Sequence, residues 1–353
     1  VFAISLVVAV VLETGEFASI LLITVFTLFY TFHGGMSAVI WTDVVQMALY
    51  VSGALLSFWM ILERVPGGWE QVAATAAAEA KFRVFHFGFE PSLAFFSRTY
   101  TFWAGLIGGC FLSTATHGTD QLVVQRLLRA RNQADARRAL IGSWFVIFLQ
   151  FALFLTIGAM LYAYYQAAGL PEPRPLDRLY PQFVWEQLPP VASGIVVAAI
   201  LAAAMSKISA ALNSLASATV MDLVLPLAGG RFESEQARLR LSRWATFGWG
   251  VVLMGIAWAA RQWGSVLEAG LAIASVPLGA LLGVFSLGVL TRRVSEAAAL
   301  AGMAAGLAVT LWASLGTPIA WTWYVPIGAT TTFAAGFAAS FAFPAQADHG
   351  PPS

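Results

Sequence analysis

Apolar runs about as long as a membrane is thick recur along this whole sequence, and they constrain its fold more than any other feature. A helix rises 1.5 Å per residue, so about 20 apolar residues cross the roughly 30 Å hydrocarbon core. The runs follow the period of helices rather than the alternation of short barrel strands. With 59% hydrophobic and only 10% charged residues, the chain does not belong to the class of water-soluble domains. The sequence therefore predicts an all-α integral membrane protein with about ten transmembrane helices.

The predicted spans divide nearly the whole chain between them. We assign residues 1–342 to a single transmembrane domain and residues 343–353 to a short cytoplasmic tail. The candidate spans, in order, are Val1–Leu12, Phe17–Phe32, Val44–Leu62, Ala94–Thr116, Leu140–Tyr164, Val191–Met221, Trp244–Ala260, Val266–Leu290, Ala297–Ser314 and Ile319–Ala342.

Arginines in alternate loops give a consistent orientation. They follow the fourth, sixth and eighth predicted spans, and the positive-inside rule makes those three loops cytoplasmic. The stretches 63–90 and 171–177 then lie outside. An even number of spans places both ends of the chain in the cytoplasm, so the predicted location is the cell membrane, as a multi-pass protein with a cytoplasmic C-terminus. The arginines concerned are Arg126, Arg129, Arg131, Arg137, Arg138, Arg231, Arg238, Arg240, Arg243, Arg292 and Arg293.

Several classes of function have no support in the sequence. The single cysteine, Cys110, lies inside a predicted span, no phosphate-binding glycine loop occurs, and no pair of carboxylates suits acid–base catalysis. The arginine-rich loop 126–138 lies between two spans, which favours a topology determinant in contact with anionic lipid over a nucleic-acid site. We predict that the chain is not an enzyme, binds no nucleic acid and has a small solute and the lipid bilayer as partners.

One stretch, residues 202–222, carries a positive charge inside an apolar helix. Ala203, Ser206, Lys207 and Ala210 recur at spacings of three and four, so they share one helix face. An ammonium within the bilayer costs several kcal/mol unless it is paired or hydrated, so Lys207 is a candidate functional residue. The alternative is that Lys207 extends toward the cytoplasmic interface and has no further role.

Three stretches of this sequence carry a resemblance to a known family. Tyr30–Gln46 (YTFHGGMSAVIWTDVVQ), Gly118–Leu140 (GTDQLVVQRLLRARNQADARRAL) and Ala202–Ser214 (AAAMSKISAALNS) resemble the sodium/solute symporter family, which includes the sodium-coupled glucose and proline transporters. The resemblance runs from about the family's fourth helix to the C-terminus. It implies a LeuT-like inverted-repeat transporter core that is N-terminally incomplete, because the first core helices have no counterpart here.

This resemblance implies secondary active transport of a small polar or anionic organic solute across the membrane. Two alternatives stay open. One is a transporter-like sensor or input module, which would need an output domain, and the other is a truncated product that does not transport.

The resemblance also implies a cation site on the predicted sixth span. In sodium-driven members an alanine and two hydroxyl residues complete an oxygen shell for sodium, and the matching residues here are Ala203, Ser206 and Lys207. An ammonium thus replaces the second hydroxyl, so we expect no resident cofactor and sodium-independent or proton-coupled transport. Asp43 is the expected counter-charge, with Ser206 and Ser209 between it and Lys207. Capping of its helix is the alternative role of Asp43.

Candidate substrate-binding residues lie on three predicted spans. Thr116, His117 and Asp120 share one face near the cytoplasmic end of the fourth span. In sugar-transporting members aromatic residues stand where Thr116 and His117 are, which argues against a standard hexose site. His117 could instead bond only to a neighbouring carbonyl. Gln150 in the fifth span and Glu268 at the start of the eighth are further candidates, and an interfacial position is the alternative for Glu268.

Overall fold

The regular structure of this chain is helical, as the sequence predicts. The computed structural model describes residues 1–33, 39–89, 92–120, 123–124, 127–128, 130–228, 234–291 and 294–343, leaving aside the side chains of residues 30, 33 and 39–43. In chain order the α-helices are α1 (Phe2–Leu12), α2 (Glu16–His33), α3 (Val39–Arg64), α4 (Gly68–Ala78), α5 (Leu93–Ser97), α6 (Gly109–Gly118), α7 (Gln133–Ala168), α8 (Leu179–Gln187), α9 (Pro190–Ala218), α10 (Glu235–Ala260), α11 (Val266–Leu290), α12 (Glu296–Gly316) and α13 (Tyr324–Ala342).

Short helical turns of other types adjoin four of these helices. Turns of 3₁₀ type, Leu176–Arg178 and Trp321–Trp323, lead into α8 and α13. A π-helical turn, Ala104–Gly108, leads into α6, and a second one, Thr219–Val224, follows α9 and is continued by Leu225–Leu227.

Among the described residues, six helices are each long and apolar enough to cross a membrane: α3, α7, α9, α11, α12 and the segment Trp321–Ala342. α1 and α2 meet this criterion only together, as a pair bent by 111°. α1 has 11 residues and rises only about 16 Å, so the first two predicted spans form at most one bent span. The seventh predicted span is α10, whose first half carries the arginines that make it less apolar than the others.

The fourth predicted span, Ala94–Thr116, is not one continuous helix. α5 ends at Ser97, and Arg98 takes an extended conformation with φ −88° and ψ 117°. The chain becomes helical again after Thr101, whose Oγ1 accepts a hydrogen bond from the Ala104 amide at 3.1 Å. Thr101 thus satisfies one of the free N–H groups at a helix start. The prediction of one continuous helix is wrong here. The sequence of residues 98–101 is compatible with a helix and equally with a break, so it did not reveal the interruption.

The described helices form two compact units, one made of Val1–Phe82 with Ile147–Val266 and the other of Arg83–Val146 with Leu267–Ser353. In the first unit, residues of α3, α4, α7, α8 and α9 surround an apolar core. Ile61, Met160, Phe183 and Val196 belong to this core, and each is at most 3% exposed. This packing fixes the position of α9 relative to α3 and α8.

In the second unit, α11, α12 and α13 pack through glycines. A Cβ added at Gly302 of α12 would lie 2.6 Å from the Thr332 carbonyl oxygen on α13. A Cβ added at Gly283 of α11 would lie 2.4 Å from the Thr332 Cβ. Small residues at such positions let helix backbones approach closely. The van der Waals contacts made in this way contribute to helix association where lipid replaces water.

Candidate functional site

The middle of α9 contributes two of the predicted site residues to one cavity in the first unit. The cavity has a volume of about 320 Å³, and its walls come from α3, α7, α8 and α9. Ala203 and Lys207 lie one helical turn apart on its wall, as their spacing of four predicts. Among the described residues that line it, Lys207 carries the only formal charge. The lining residues are Tyr50, Phe154, Tyr180, Ile200, Ala203, Ala204 and Lys207.

Hydrogen bonds between helices hold the two tyrosines of this cavity. Gln150 Nε2 on α7 donates to the Tyr50 hydroxyl on α3 at 3.4 Å, so this predicted substrate candidate contacts a residue of the cavity wall. Ser57 Oγ lies 3.2 Å from the Tyr180 hydroxyl and donates to the Gly53 carbonyl at 2.8 Å, which leaves the tyrosine as donor to Ser57. Burial raises the pKa of Tyr180, which keeps this hydroxyl protonated.

Ser209 lies on another face of α9 from Lys207. Residues two apart on a helix are separated by about 200° around its axis. Ser209 is 8% exposed, and its hydroxyl lies 2.9 Å from that of Thr31 on α2. Thr31 also donates to the Thr27 carbonyl at 2.6 Å, so the three residues form one small polar contact between α2 and α9. The structure therefore separates Ser209 from the cavity that Ala203 and Lys207 line.

The side chain of Asp43, the proposed counter-charge, lies outside the described part of the structure. Its backbone belongs to α3, two turns before Tyr50 on the same helix. Its role as counter-charge to Lys207 stays a prediction.

The candidates on α6 form hydrogen bonds within their own helix. Thr116 Oγ1 donates to the backbone of the preceding turn, with the Leu112 carbonyl at 3.0 Å. His117 Nδ1 lies 3.0 Å from the Ser113 carbonyl and 3.1 Å from Thr116 Oγ1. Asp120 follows the end of α6, and its carbonyl accepts the Val124 amide at 2.9 Å. The contact of His117 with a neighbouring carbonyl is the alternative that the sequence left open.

Glu268 lies at the start of α11 in the second unit and accepts a hydrogen bond from the Tyr100 hydroxyl. Partial burial and the Glu268 carboxylate raise the pKa of Tyr100 to about 12. Glu268 is therefore engaged with the segment 98–101 that interrupts the fourth predicted span. Gln150 is the substrate candidate of the first unit, and it contacts the lining of the cavity beside Lys207.

The three positions of α9 that the sequence predicts as a cation site offer two different kinds of group. Sodium is a hard cation that needs oxygen ligands, and of the three matching positions only Ala203 and Ser206 offer a carbonyl and a hydroxyl. The Lys207 ammonium offers hydrogen-bond donors and a positive charge instead. Within the part of the chain that the structure describes, no three His, Cys, Asp or Glu side chains cluster as metal ligands.

The sequence interpretation missed the five residues that complete the cavity: Tyr50, Phe154, Tyr180, Ile200 and Ala204. A signal existed for Tyr50, since it follows Asp43 by seven residues and so shares its helix face. No comparable signal marks Tyr180, because it comes from a short helix in a region that the sequence assigns to a loop.

Comparison with known proteins gives consistent matches. The profile described as "SSF: Sodium:solute symporter family" matches residues 6–306. Sodium-coupled monocarboxylate transporter 1 of Mus musculus is 30% identical over 302 residues, which cover 82% of this chain and 47% of that protein. Sodium-dependent multivitamin transporter of Oryctolagus cuniculus is 32% identical, covering 85% and 46%. Sodium/iodide cotransporter of Homo sapiens is 30% identical, covering 90% and 49%.

One solved structure is similar over almost the whole chain. A Na+-coupled sialic acid symporter in a substrate-bound outward-open state matches with a TM-score of 0.76 and 26% identity, covering 98% of this chain and 71% of that one. This match confirms the predicted all-α, LeuT-like fold. The chain spans about half the length of the curated relatives it matches. Those relatives are named as transporters, in agreement with the prediction that the chain is not an enzyme.

Proposed function

Because the chain belongs to the sodium:solute symporter family, we propose that it forms the membrane core of a secondary transporter that moves a small polar or anionic organic solute. The observation that carries the proposal is the cavity on α9 that Ala203 and Lys207 line together. Its volume of about 320 Å³ falls at the lower end of the range for small-molecule sites, about 300–1,000 Å³.

The chemistry of the cavity favours a solute with an apolar body and a negative or strongly polar group. Phe154, Ile200 and Ala204 offer apolar contact, while the Lys207 ammonium attracts negative charge. Two of the relatives carry anions by name, monocarboxylates in one and iodide in the other. These names support the class of solute and leave its identity to experiment.

The second part of the proposal is that the Lys207 ammonium replaces sodium. At an effective dielectric constant of about 20, two unit positive charges about 4 Å apart repel each other by roughly 4 kcal/mol. A penalty of that size lowers the affinity for sodium by about a thousandfold. Transport is then coupled to protons through Lys207, or is uncoupled and proceeds by facilitated exchange.

Solute uptake into liposomes that contain the purified protein tests the first part. A panel of carboxylates, sugars and amino acids is compared with empty vesicles, and we expect a carboxylate or another polar solute to enter faster. If none of them moves while a signalling partner co-purifies, the sensor interpretation replaces transport.

The second part is tested by replacing sodium with choline in the same assay, for the unmodified protein and for Lys207→Ser. We expect uptake without sodium in the unmodified protein and sodium dependence in Lys207→Ser. Lys207→Met is the matched control, because it removes the charge without supplying an oxygen ligand, and it should stay independent of sodium. Sodium-dependent uptake by the unmodified protein would overturn the proposal, and Lys207 would then be an interfacial side chain.

A further inference from the structure

A second cavity lies on the first unit, beside the N-terminal half of α10. Its volume is about 360 Å³, and its lining consists of arginine and aromatic side chains. Arg240, Arg243, Trp244 and Phe247 come from α10, and Phe32 comes from the end of α2. None of these five residues takes part in the cavity on α9, so this second cavity has no role in the proposed transport site.

The four residues of α10 form a single stripe. Their spacings of three, four and seven place them on one helix face, and Val251, four residues beyond Phe247, continues that face. Trp244 is 71% exposed, and Phe247 and Val251 are each 47% exposed. The stripe therefore changes along the helix from two guanidinium groups to aromatic rings and then to an aliphatic side chain, all accessible from outside.

The change from charged to apolar residues marks a membrane interface on α10. Every charged residue of this helix lies at or before Arg243, and residues 244–260 carry no charge. At 1.5 Å per residue that uncharged part is about 25 Å long, close to the thickness of the hydrocarbon layer. A tryptophan at the boundary is typical of the aromatic belt at the headgroup level.

The two guanidinium groups are placed to bind an anion. Neither Arg240 nor Arg243 forms an ion pair or a hydrogen bond with another residue of the described ranges. Residues three apart on a helix have neighbouring side chains, so both forks reach the same volume. Arginine forks match the oxygen geometry of phosphate, with two parallel hydrogen bonds each.

We propose that this cavity binds an anionic phospholipid, with the phosphate on Arg240 and Arg243 and an acyl chain along Phe247 and Val251. The combination of groups identifies a lipid rather than a free anion, because the aromatic and aliphatic part of the stripe is exposed directly below the arginines. A soluble phosphate would leave that part unused. The proposal does not depend on which solute the protein carries.

Lipid binding is measured by native mass spectrometry of the full chain, with phosphatidylglycerol and phosphatidylcholine of identical acyl chains. We expect the unmodified protein to bind phosphatidylglycerol at least about tenfold more tightly. Each basic residue near an anionic membrane surface contributes about 1 kcal/mol, so Arg240→Gln and Arg243→Gln should each weaken that binding about fivefold. Arg240→Lys, which keeps the charge, should lose less.

Arg238→Gln is the matched control, because it removes one positive charge from the same helix about 200° away from Arg240. It should change lipid binding less than about twofold, as expected for a charge outside the stripe. An equal loss in all three variants would indicate general surface charge and would overturn the proposal. So would an unmodified protein without preference for phosphatidylglycerol.

Two further measurements use the unmodified protein and do not depend on how well the variants fold. A phosphatidylglycerol with a photoreactive acyl chain should crosslink to peptides around Phe247 and Val251, and crosslinks confined to other helices would contradict the assignment. Inorganic phosphate, added to protein in neutral lipid, should not raise the melting temperature. A rise that Arg240→Gln abolishes would make this a soluble-anion site, and a dimer that the same variant dissociates would make it a contact between copies.

Discussion

Several polar side chains in the first unit connect different helices, in addition to those that bond within one helix, whereas those described in the second unit mostly bond within their own helix. In the first unit, Gln150 donates to Tyr50, and the hydroxyl of Thr31 meets that of Ser209 on another helix. In the second unit, Thr116 and Thr310 both donate to carbonyls one turn earlier in their own helices. The difference indicates where specific chemistry can take place. A polar group that reaches across a helix interface holds a defined cavity open, while one that folds back leaves the interface to close packing.

Two glycines, one in each unit, differ in the kind of neighbour that they meet. In the second unit the neighbour of Gly302 is backbone, the Thr332 carbonyl. In the first unit the neighbour of Gly53 is the end of a side chain, Val196 Cγ2, which would lie 2.4 Å from an added Cβ. Backbone cannot move away without displacing a whole helix, but a side chain can be repacked.

The largest effect is expected for Gly302→Ala. The new methyl group meets the Thr332 carbonyl and the backbone of Gly336, so α12 and α13 must separate. We expect a loss of about 3 kcal/mol, seen as a lower apparent melting temperature in detergent. Gly288→Ala on α11 is the control, since an added Cβ there meets nothing within 4 Å, and helix propensity should make it neutral or stabilising by up to about 1 kcal/mol. Equal melting temperatures for the two variants would show that the close backbone contact at Gly302 does not limit the stability of this helix packing.

A smaller loss, about 1.5 kcal/mol, is expected for Gly53→Ala in the first unit, because Val196 can rearrange. Adding Val196→Ala should restore part of the lost stability, since the atoms that clash are those of the valine side chain. Thermal melting of the two single variants and of the double variant gives the coupling free energy between positions 53 and 196. If the double variant is as unstable as the sum of the single ones, the contact is not the cause.

The contact between helices at Ser209 should contribute a modest coupling energy. A double-mutant cycle of Thr31→Val and Ser209→Ala is expected to give about 0.6 kcal/mol, the average for hydrogen bonds between membrane helices. Both variants should keep sodium-independent uptake, because Ser209 lies away from the cavity. Loss of uptake in Ser209→Ala alone would place this residue in the transport site after all.

For Thr116→Val in the second unit we expect a change in stability within about 0.5 kcal/mol, because the lost hydrogen bond is made to the same helix. Solute affinity should also be unchanged. A large rise in the solute concentration needed for half-maximal uptake would indicate that Thr116 belongs to the substrate site. It would then contradict the proposed difference in polar contacts between the two units.

The smallest effect is expected for Tyr100, which bonds to Glu268 of α11 and is 70% exposed, so that solvent screens the interaction. Its pKa is raised to about 12 from 10.0. A raised pKa contributes stability that is present below pH 10 and is lost as the pH rises toward 12. The difference in stability between the unmodified protein and Tyr100→Phe should therefore be constant up to about pH 10 and shrink above it. A difference that grows with pH would contradict this assignment.

Much of the helical architecture could be predicted from the sequence. Hydrocarbon thickness and the helical rise require long apolar runs, so spans such as Val266–Leu290 and the helix around Lys207 were predictable without a structure. The pairing of Ala203 with Lys207 followed from helix geometry as well, since residues four apart share a face. The same geometry separates Ser209 from them, which the grouping by sequence motif overlooked.

Periodicity is a property of one helix, and it does not specify what the next helix offers. The break at residues 98–101 depends on Thr101 capping a new helix, and the bend of 111° between α1 and α2 lies in a short connection of ordinary composition. The sequence by itself therefore determined that the chain is a bundle of membrane helices with a charged residue on α9. Only the tertiary structure decided that Tyr50 and Tyr180 stand beside Lys207. The reason is that a side chain's partner depends on which helices pack together, and that is a contact between residues far apart in the chain.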